Sequence, residues 1–254
     1  MREYWELFWK GIPIGISNTL PGVSGGTMAL VLNIYVKLIE GIKGIKLKVL
    51  IPIFLGAVSG VFLSSYLITG LLDTHPEFMI SVLFGLILAS SKVTFDEVNK
   101  FTVLNLILVL AGFILAFFYS QEARATDPAT GITLFNYFSG GALGSMAMIL
   151  PGISGGTILV LMGVYRGILT AISNFDLMIL LVFGLGLALG LLFFSWFLSY
   201  FINHFRSKIM ALLTGLILGS LRSVIPSSIG ISVVTGVIIG ILIIFGLIWL
   251  QKAV

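Results

Sequence analysis

The chain has no cysteine and only two histidines. Without thiols there is neither a disulfide framework nor a thiolate metal site, and the isolated imidazoles of His75 and His204 do not make a His-based one. No cofactor motif is expected. Charged residues are scarce as well, 9% of 254 residues against 58% hydrophobic, and the mean hydropathy is +1.16. That balance excludes an ordinary soluble domain and places the chain among polytopic membrane proteins. The first ten residues lack a short apolar core ending in a cleavage site, so no cleavable secretory signal is expected. The net charge of +4 sits in short loops between apolar segments, which fits anionic membrane lipid at the cytoplasmic face and not nucleic acid.

Apolar runs at 49–72, 101–119, 178–201 and 229–250 each reach the roughly 20 residues that cross a hydrocarbon core, and read as transmembrane helices. Two shorter apolar runs lie at 78–91 and 209–221. Tyr4, Trp5, Phe8 and Trp9 suggest an interfacial helix at the headgroups.

One pattern occurs twice. Pro21-Gly22-Val23-Ser24-Gly25-Gly26-Thr27 returns 130 residues later as Pro151-Gly152-Ile153-Ser154-Gly155-Gly156-Thr157. The offset extends beyond the motif: Tyr35 falls on Tyr165, Gly56 and Gly60 on Gly186 and Gly190, Ser65 on Ser195, and 85–92 on 215–222. This is a duplication signature. It predicts repeat 1 over 1–120, a polar linker over 121–133, and repeat 2 over 134–254, all in one integral membrane domain. The expected fold is all-α and polytopic, each repeat holding a re-entrant broken-helix hairpin and about three transmembrane helices.

The positive-inside rule orients the repeats. With re-entrant motifs, Arg2, Lys10, Lys37, Lys43, Lys46, Lys48, Lys92, Lys100, Arg206, Lys208 and Lys252 share one side, leaving Arg124, Arg166 and Arg222 on the other. Motifs that cross the membrane would spread the same residues almost evenly. Inverted-topology repeats with both termini cytoplasmic follow.

Proline starts or ends a helix, glycine lets another group approach the backbone, and Ser or Thr caps freed N–H groups. Packed into one turn of chain, they predict a helix N-terminus inside the membrane, suited to phosphate or carboxylate. The candidate anion-binding residues are Ser24, Gly25, Gly26, Thr27, Ser154, Gly155, Gly156 and Thr157. Pro21, Gly22, Pro151 and Gly152 shape the break. Lys92 and Arg222 occupy matched positions and are candidate counter-charges. Arg166 has no cationic twin, because Val36 takes its place in repeat 1, and could recruit an anion on the outer side only. Gly56, Gly60, Gly186 and Gly190 read as helix-packing glycines, Tyr35 and Tyr165 as interfacial anchors, and His75 and His204 as loop residues.

The doubled motif, on a duplicated membrane protein of this length, resembles the undecaprenyl-phosphate translocases of the PopT type. The resemblance implies a transporter, not an enzyme, that returns the polyprenyl-phosphate carrier from the outer to the inner leaflet of a bacterial or archaeal cell membrane for reuse in cell-wall polymer synthesis. Residues alone point to an anion; the polyprenyl identity comes from the resemblance. A small-anion carrier or channel would use the same broken helices. An intramembrane serine hydrolase would read Gly22-Val23-Ser24-Gly25 and Gly152-Ile153-Ser154-Gly155 as G-x-S-G nucleophile patterns, but such a serine needs a base within hydrogen-bond reach. A membrane assembly factor would use the motifs only to shape its fold. Glycine faces can pack within one chain or between two, so monomer and homo-oligomer both remain open.

Overall fold

The computed structural model describes residues 2–18, 24–98, 102–119 and 133–253, and these form helices joined by turns, with no strand among them. The elements are α1 (Arg2–Asn18), α2 (Gly25–Val31), α3 (Tyr35–Lys43), α4 (Leu47–Thr74), α5 (Pro76–Phe95), α6 (Val103–Tyr119), α7 (Leu134–Ile149), α8 (Gly155–Leu161), α9 (Tyr165–Ser173), α10 (Leu177–Ser220) and α11 (Ile231–Ala253). A 3₁₀ turn, Leu221–Val224, follows α10.

Length sorts the spans. α4, α5 and α11 are long and apolar enough to cross a membrane. At 44 residues α10 would extend roughly 66 Å at 1.5 Å per residue, about twice a hydrocarbon core. It breaks at Phe205, where φ is −134° and ψ 37°, into segments 177–204 and 206–220. The first short apolar run is lengthened by Pro76, which opens α5, and by the polar turn up to Phe95, giving 20 residues, long enough to cross.

Short broken helices flank both motifs. α2 ends with Asn33 at φ 54°, and the Ile34 N–H reaches back to the Ala29 carbonyl (2.9 Å). α8 ends with Gly163 at φ 71° and the equivalent bond from Val164 to Leu159 (3.0 Å). Each is a left-handed C-terminal cap that satisfies last-turn carbonyls while turning the chain; α8 and α9 meet at 105°. The device recurs after α3 and α9, where Ile45 (φ 48°) and Phe175 (φ 53°) adopt the left-handed conformation.

Glycine sets the helix pairing. A methyl placed on Gly56 of α4 would stand 2.0 Å from the Phe8 carbonyl oxygen of α1, and one on Gly186 of α10 the same distance from Phe138 O of α7. Backbones touch there, as small-residue packing in membranes allows, so the packing role expected for these glycines holds. α1 is therefore not only an interfacial helix: Trp5 and Trp9 are exposed, but Leu7 is buried and the Gly11 and Gly15 edge lies on α4.

The remaining pairs cross between the two halves of the sequence. Gly85 of α5 abuts the Val237 carbonyl of α11, and Gly240 of α11 abuts Val82 of α5. Likewise Gly215 in the second segment of α10 abuts Val109 of α6, and Gly112 of α6 abuts Leu212. α5 and α6 thus pack on helices of the other half, and the core lies where α5 meets the second segment of α10, at Leu83, Ile87, Leu213 and Ile217.

Candidate functional site

The two motifs meet. Ser24 is the N-cap of α2; its Oγ accepts from the Gly26 N–H and donates to the Leu150 carbonyl, both at 3.2 Å. Thr27 Oγ1 accepts from the Gly152 N–H (3.2 Å), and the Tyr35 hydroxyl donates to the Ile149 carbonyl (3.2 Å). Asn18 Oδ1, at the end of α1, takes the Gly25 N–H (3.0 Å). Motif 1 therefore supplies side chains that satisfy the backbone freed where α7 stops at Leu150, as a break inside a membrane requires. Gly26 lies against the Ile149 carbonyl, where a methyl would come within 2.5 Å.

Gly152 has a separate constraint. Its φ of 80° is left-handed, and a methyl there would stand 2.6 Å from the Leu216 carbonyl of α10. Only glycine combines that dihedral with that approach. Pro151 is buried beside it. Pro21 and Gly22 lie outside the described residues.

The two copies differ in exposure. Every residue of α2 is buried, whereas none of α8 is. Ser154 and Gly156 are exposed and Gly155 and Thr157 half-buried. Around the position of a methyl on Gly156, only the Ser154 Oγ lies within 4 Å, at 3.7 Å. So the expected accessible tip describes motif 2; in motif 1 Ser24 and Thr27 are buried against the Leu150–Gly152 turn.

The candidate cations sit in different settings. Lys92 Nζ lies 2.8 Å from both carboxylate oxygens of Asp96, one helical turn on. The Arg222 guanidinium stacks 4.0 Å above the Phe117 ring, with Nη1 3.5 Å from the Phe117 carbonyl. Arg166, exposed on α9, borders a cavity of about 420 Å³ shared with Tyr137, Thr170, Asn174 and Asp176.

Two expectations are corrected, for Tyr35 and His204. Tyr35 is no interfacial anchor: it is buried, because its hydroxyl has a carbonyl to serve inside the protein. Tyr165 is exposed. His204 is not in a loop but in α10 before the break, donating from Nδ1 to the Tyr200 carbonyl (2.8 Å) and stacking on the Tyr200 ring. His75 caps the start of α5. Neither imidazole is a partner of Ser24, whose Oγ bonds are both to backbone, so the serine-hydrolase arrangement is not assembled at that residue.

Asn18 and Tyr35 are site residues that motif reading passes over. Asn18 carried a signal, a lone amide ending a helical run just before the proline. Tyr35 carried none, since its partner is 114 residues away.

A family model described as undecaprenyl phosphate translocase-like matches residues 14–50 and 43–238. A Vibrio cholerae protein named polyprenyl-phosphate transporter is 36% identical over 202 residues, 71% of this chain and 64% of that one. A Staphylococcus aureus protein of the same name is 33% identical over 210 residues, 73% of this chain and 74% of the relative. The chain thus spans just under two thirds of the first relative and about three quarters of the second. No solved structure matches it. With doubled motifs that meet inside an all-helical apolar protein, and a family match covering most of its length, the chain belongs to the undecaprenyl phosphate translocase-like family.

Proposed function

We propose that this protein is a transporter, not an enzyme, that carries a polyprenyl phosphate, in the first instance undecaprenyl phosphate, from the outer to the inner leaflet of the cell membrane for reuse in cell-wall polymer synthesis. The observation that carries the reading is the pairing of the motifs: Ser24 and Thr27 hold the Leu150–Gly152 turn, leaving Ser154, Gly155, Gly156 and Thr157 of the second copy accessible. The names of the relatives support polyprenyl phosphate over a soluble anion.

In this reading Ser154, Thr157 and the N–H groups of Gly155 and Gly156 receive the phosphate in the conformation described, and Ser24, Gly25, Gly26 and Thr27 do so when the pairing reverses. Arg222 is the counter-charge, because its contacts with Phe117 are to neutral groups. Lys92 serves only after leaving Asp96. Moving a bare phosphate through hydrocarbon would be prohibitively costly by Born arguments, and exchanging it between polar turns avoids that exposure.

The same reading takes the 130-residue recurrence of motifs, left-handed caps and glycine contacts as two repeats of inverted topology, with both termini cytoplasmic. The units that move cannot be the halves of the sequence as rigid bodies, because α5 and α6 are packed on α11 and α10. The α1–α4 and α7–α10 pairs with their broken helices are the mobile parts against that frame.

The test measures leaflet-resolved accessibility of undecaprenyl phosphate in vesicles holding the purified protein, a Ser24→Ala/Ser154→Ala variant, or no protein. Protein-dependent loss from the outer leaflet that fails in the folded variant is expected. Equal accessibility in all three overturns the reading, and chloride or phosphate flux then becomes the measurement.

A further inference from the structure

Beside motif 2 lies an apolar groove of about 500 Å³. Leu150 and Ile153, the residues bracketing Pro151-Gly152, form one wall; the buried Leu213 and Leu216 of α10 form the floor. Leu115 and Phe197, 62% and 42% exposed, stand at its mouth on the outer surface of the helices. No charged or polar side chain lines it. It therefore rejects a phosphate or a hydrated ion and takes hydrocarbon.

We propose that this groove holds the isoprene units next to the phosphate while the headgroup sits on motif 2, the remaining tail leaving between Leu115 and Phe197 into the bilayer. The inference rests on the phosphate reading of that motif and adds to it the part of the lipid that is recognised. Continuity argues for the occupant: Ile153 and Ile158, which bracket the Ser154–Thr157 headgroup site in sequence, both line the groove, so one amphiphile fills both. Size sets the extent. Cavities of roughly 300–1,000 Å³ hold drug-sized molecules, so the groove takes a few isoprene units and not an eleven-unit tail. The near-parallel rings of Phe194 and Phe197, 6.0 Å apart, offer flat faces to the planar double bonds of such units.

Selectivity follows. Polyprenyl length is not read, since the distal tail is outside. A diacyl phospholipid is rejected, because its two chains diverge next to the phosphate and the groove admits one.

The experiment uses the whole protein in vesicles with a farnesyl phosphate carrying a diazirine on its first isoprene unit. Photolabel is expected on groove residues, Phe197 and Leu212 among them, displaced by undecaprenyl phosphate and not by an equal amount of phosphatidic acid. Leu212→Trp, which fills a half-exposed position of the groove, lowers both labelling and undecaprenyl phosphate transport by roughly tenfold. Label confined to lipid-facing residues of α6 and α11, or displaced equally by phosphatidic acid, overturns the groove while transport by the unsubstituted protein persists. If the unsubstituted protein moves no undecaprenyl phosphate, the reading beneath it fails instead. Labelling of the unsubstituted protein decides the groove even if Leu212→Trp does not fold.

Discussion

Thr27 accepts, through Oγ1, a hydrogen bond from the backbone N–H of Gly152, 3.2 Å away in space and 125 residues away in sequence. A threonine from one motif thereby satisfies a donor that the other motif frees. Thr27→Val keeps the shape and deletes the acceptor, leaving a part-buried N–H unpaired, which costs about 1 kcal/mol, the low end for a lost partner. Thermal unfolding in detergent should show the loss, and Thr27→Ser should recover most of it. An unchanged midpoint for Thr27→Val would mean the bond contributes nothing.

Gly152 and Gly156 should separate folding from transport. Gly152→Ala places a methyl at a left-handed dihedral and against the Leu216 carbonyl, so folded yield should collapse. Gly156→Ala enters open space and adds helix propensity of roughly 0.5–1 kcal/mol. It should unfold no earlier than the parent, yet slow lipid transport by about tenfold by placing a methyl where the phosphate is proposed to sit. Normal transport with Gly156→Ala would remove motif 2 from the binding site.

Ile45 is a β-branched residue at φ 48° and is largely exposed. Left-handed backbone costs such a residue about 1–2 kcal/mol, which asparagine largely avoids. Ile45→Asn should therefore raise the unfolding temperature by a few degrees, at about 2–4 °C per kcal/mol for a chain of this size. A lowered midpoint would show that Ile45 makes a contact worth more than the strain.

Glu40 gives a pH dependence. Its carboxylate accepts from the Ser199 hydroxyl and from Asn203, with Lys43 nearby, and the Ser199 bond chiefly holds its pKa below the usual 4.5. A carboxyl that titrates lower when folded adds stability that is complete well above 4.5, shrinks as pH falls through the folded value and is absent below it. Glu40→Gln should therefore lower the midpoint slightly at pH 7, and its gap from the parent should narrow as the pH falls below 4.5. A gap between the two that persists unchanged at pH 3 would rule out this linkage.

Motif spacing and the small-residue stripes reveal the broken helices and the glycine contacts, because local chemistry dictates both. Lys92, expected as a counter-charge for the anion, instead pairs with Asp96 at i,i+4 spacing. Other features have no local signature. The polar stretch between the apolar runs 178–201 and 209–221 announces a break in α10, but with neither proline nor glycine there nothing local places it at Phe205. The opposite exposure of Ser24 and Ser154 cannot be read from two nearly identical heptapeptides, since it depends on what surrounds each. The Tyr35 tie needs a carbonyl from the far half of the chain, which no periodicity announces.

The cross-pairing of α5 with α11 and of α6 with the end of α10 also bears on how the protein is made. When the ribosome has finished Tyr119, two hydrophobic helices stand in the bilayer with their glycine edges, Gly85 and Gly112, still bare. Their mates are the last segments to emerge, on the order of ten seconds later at ordinary synthesis rates. Until then those edges are open to any passing helix. A chain truncated before Ile231 should accordingly be a ready target for membrane quality control, and the first half made alone should survive only when the second is supplied alongside it.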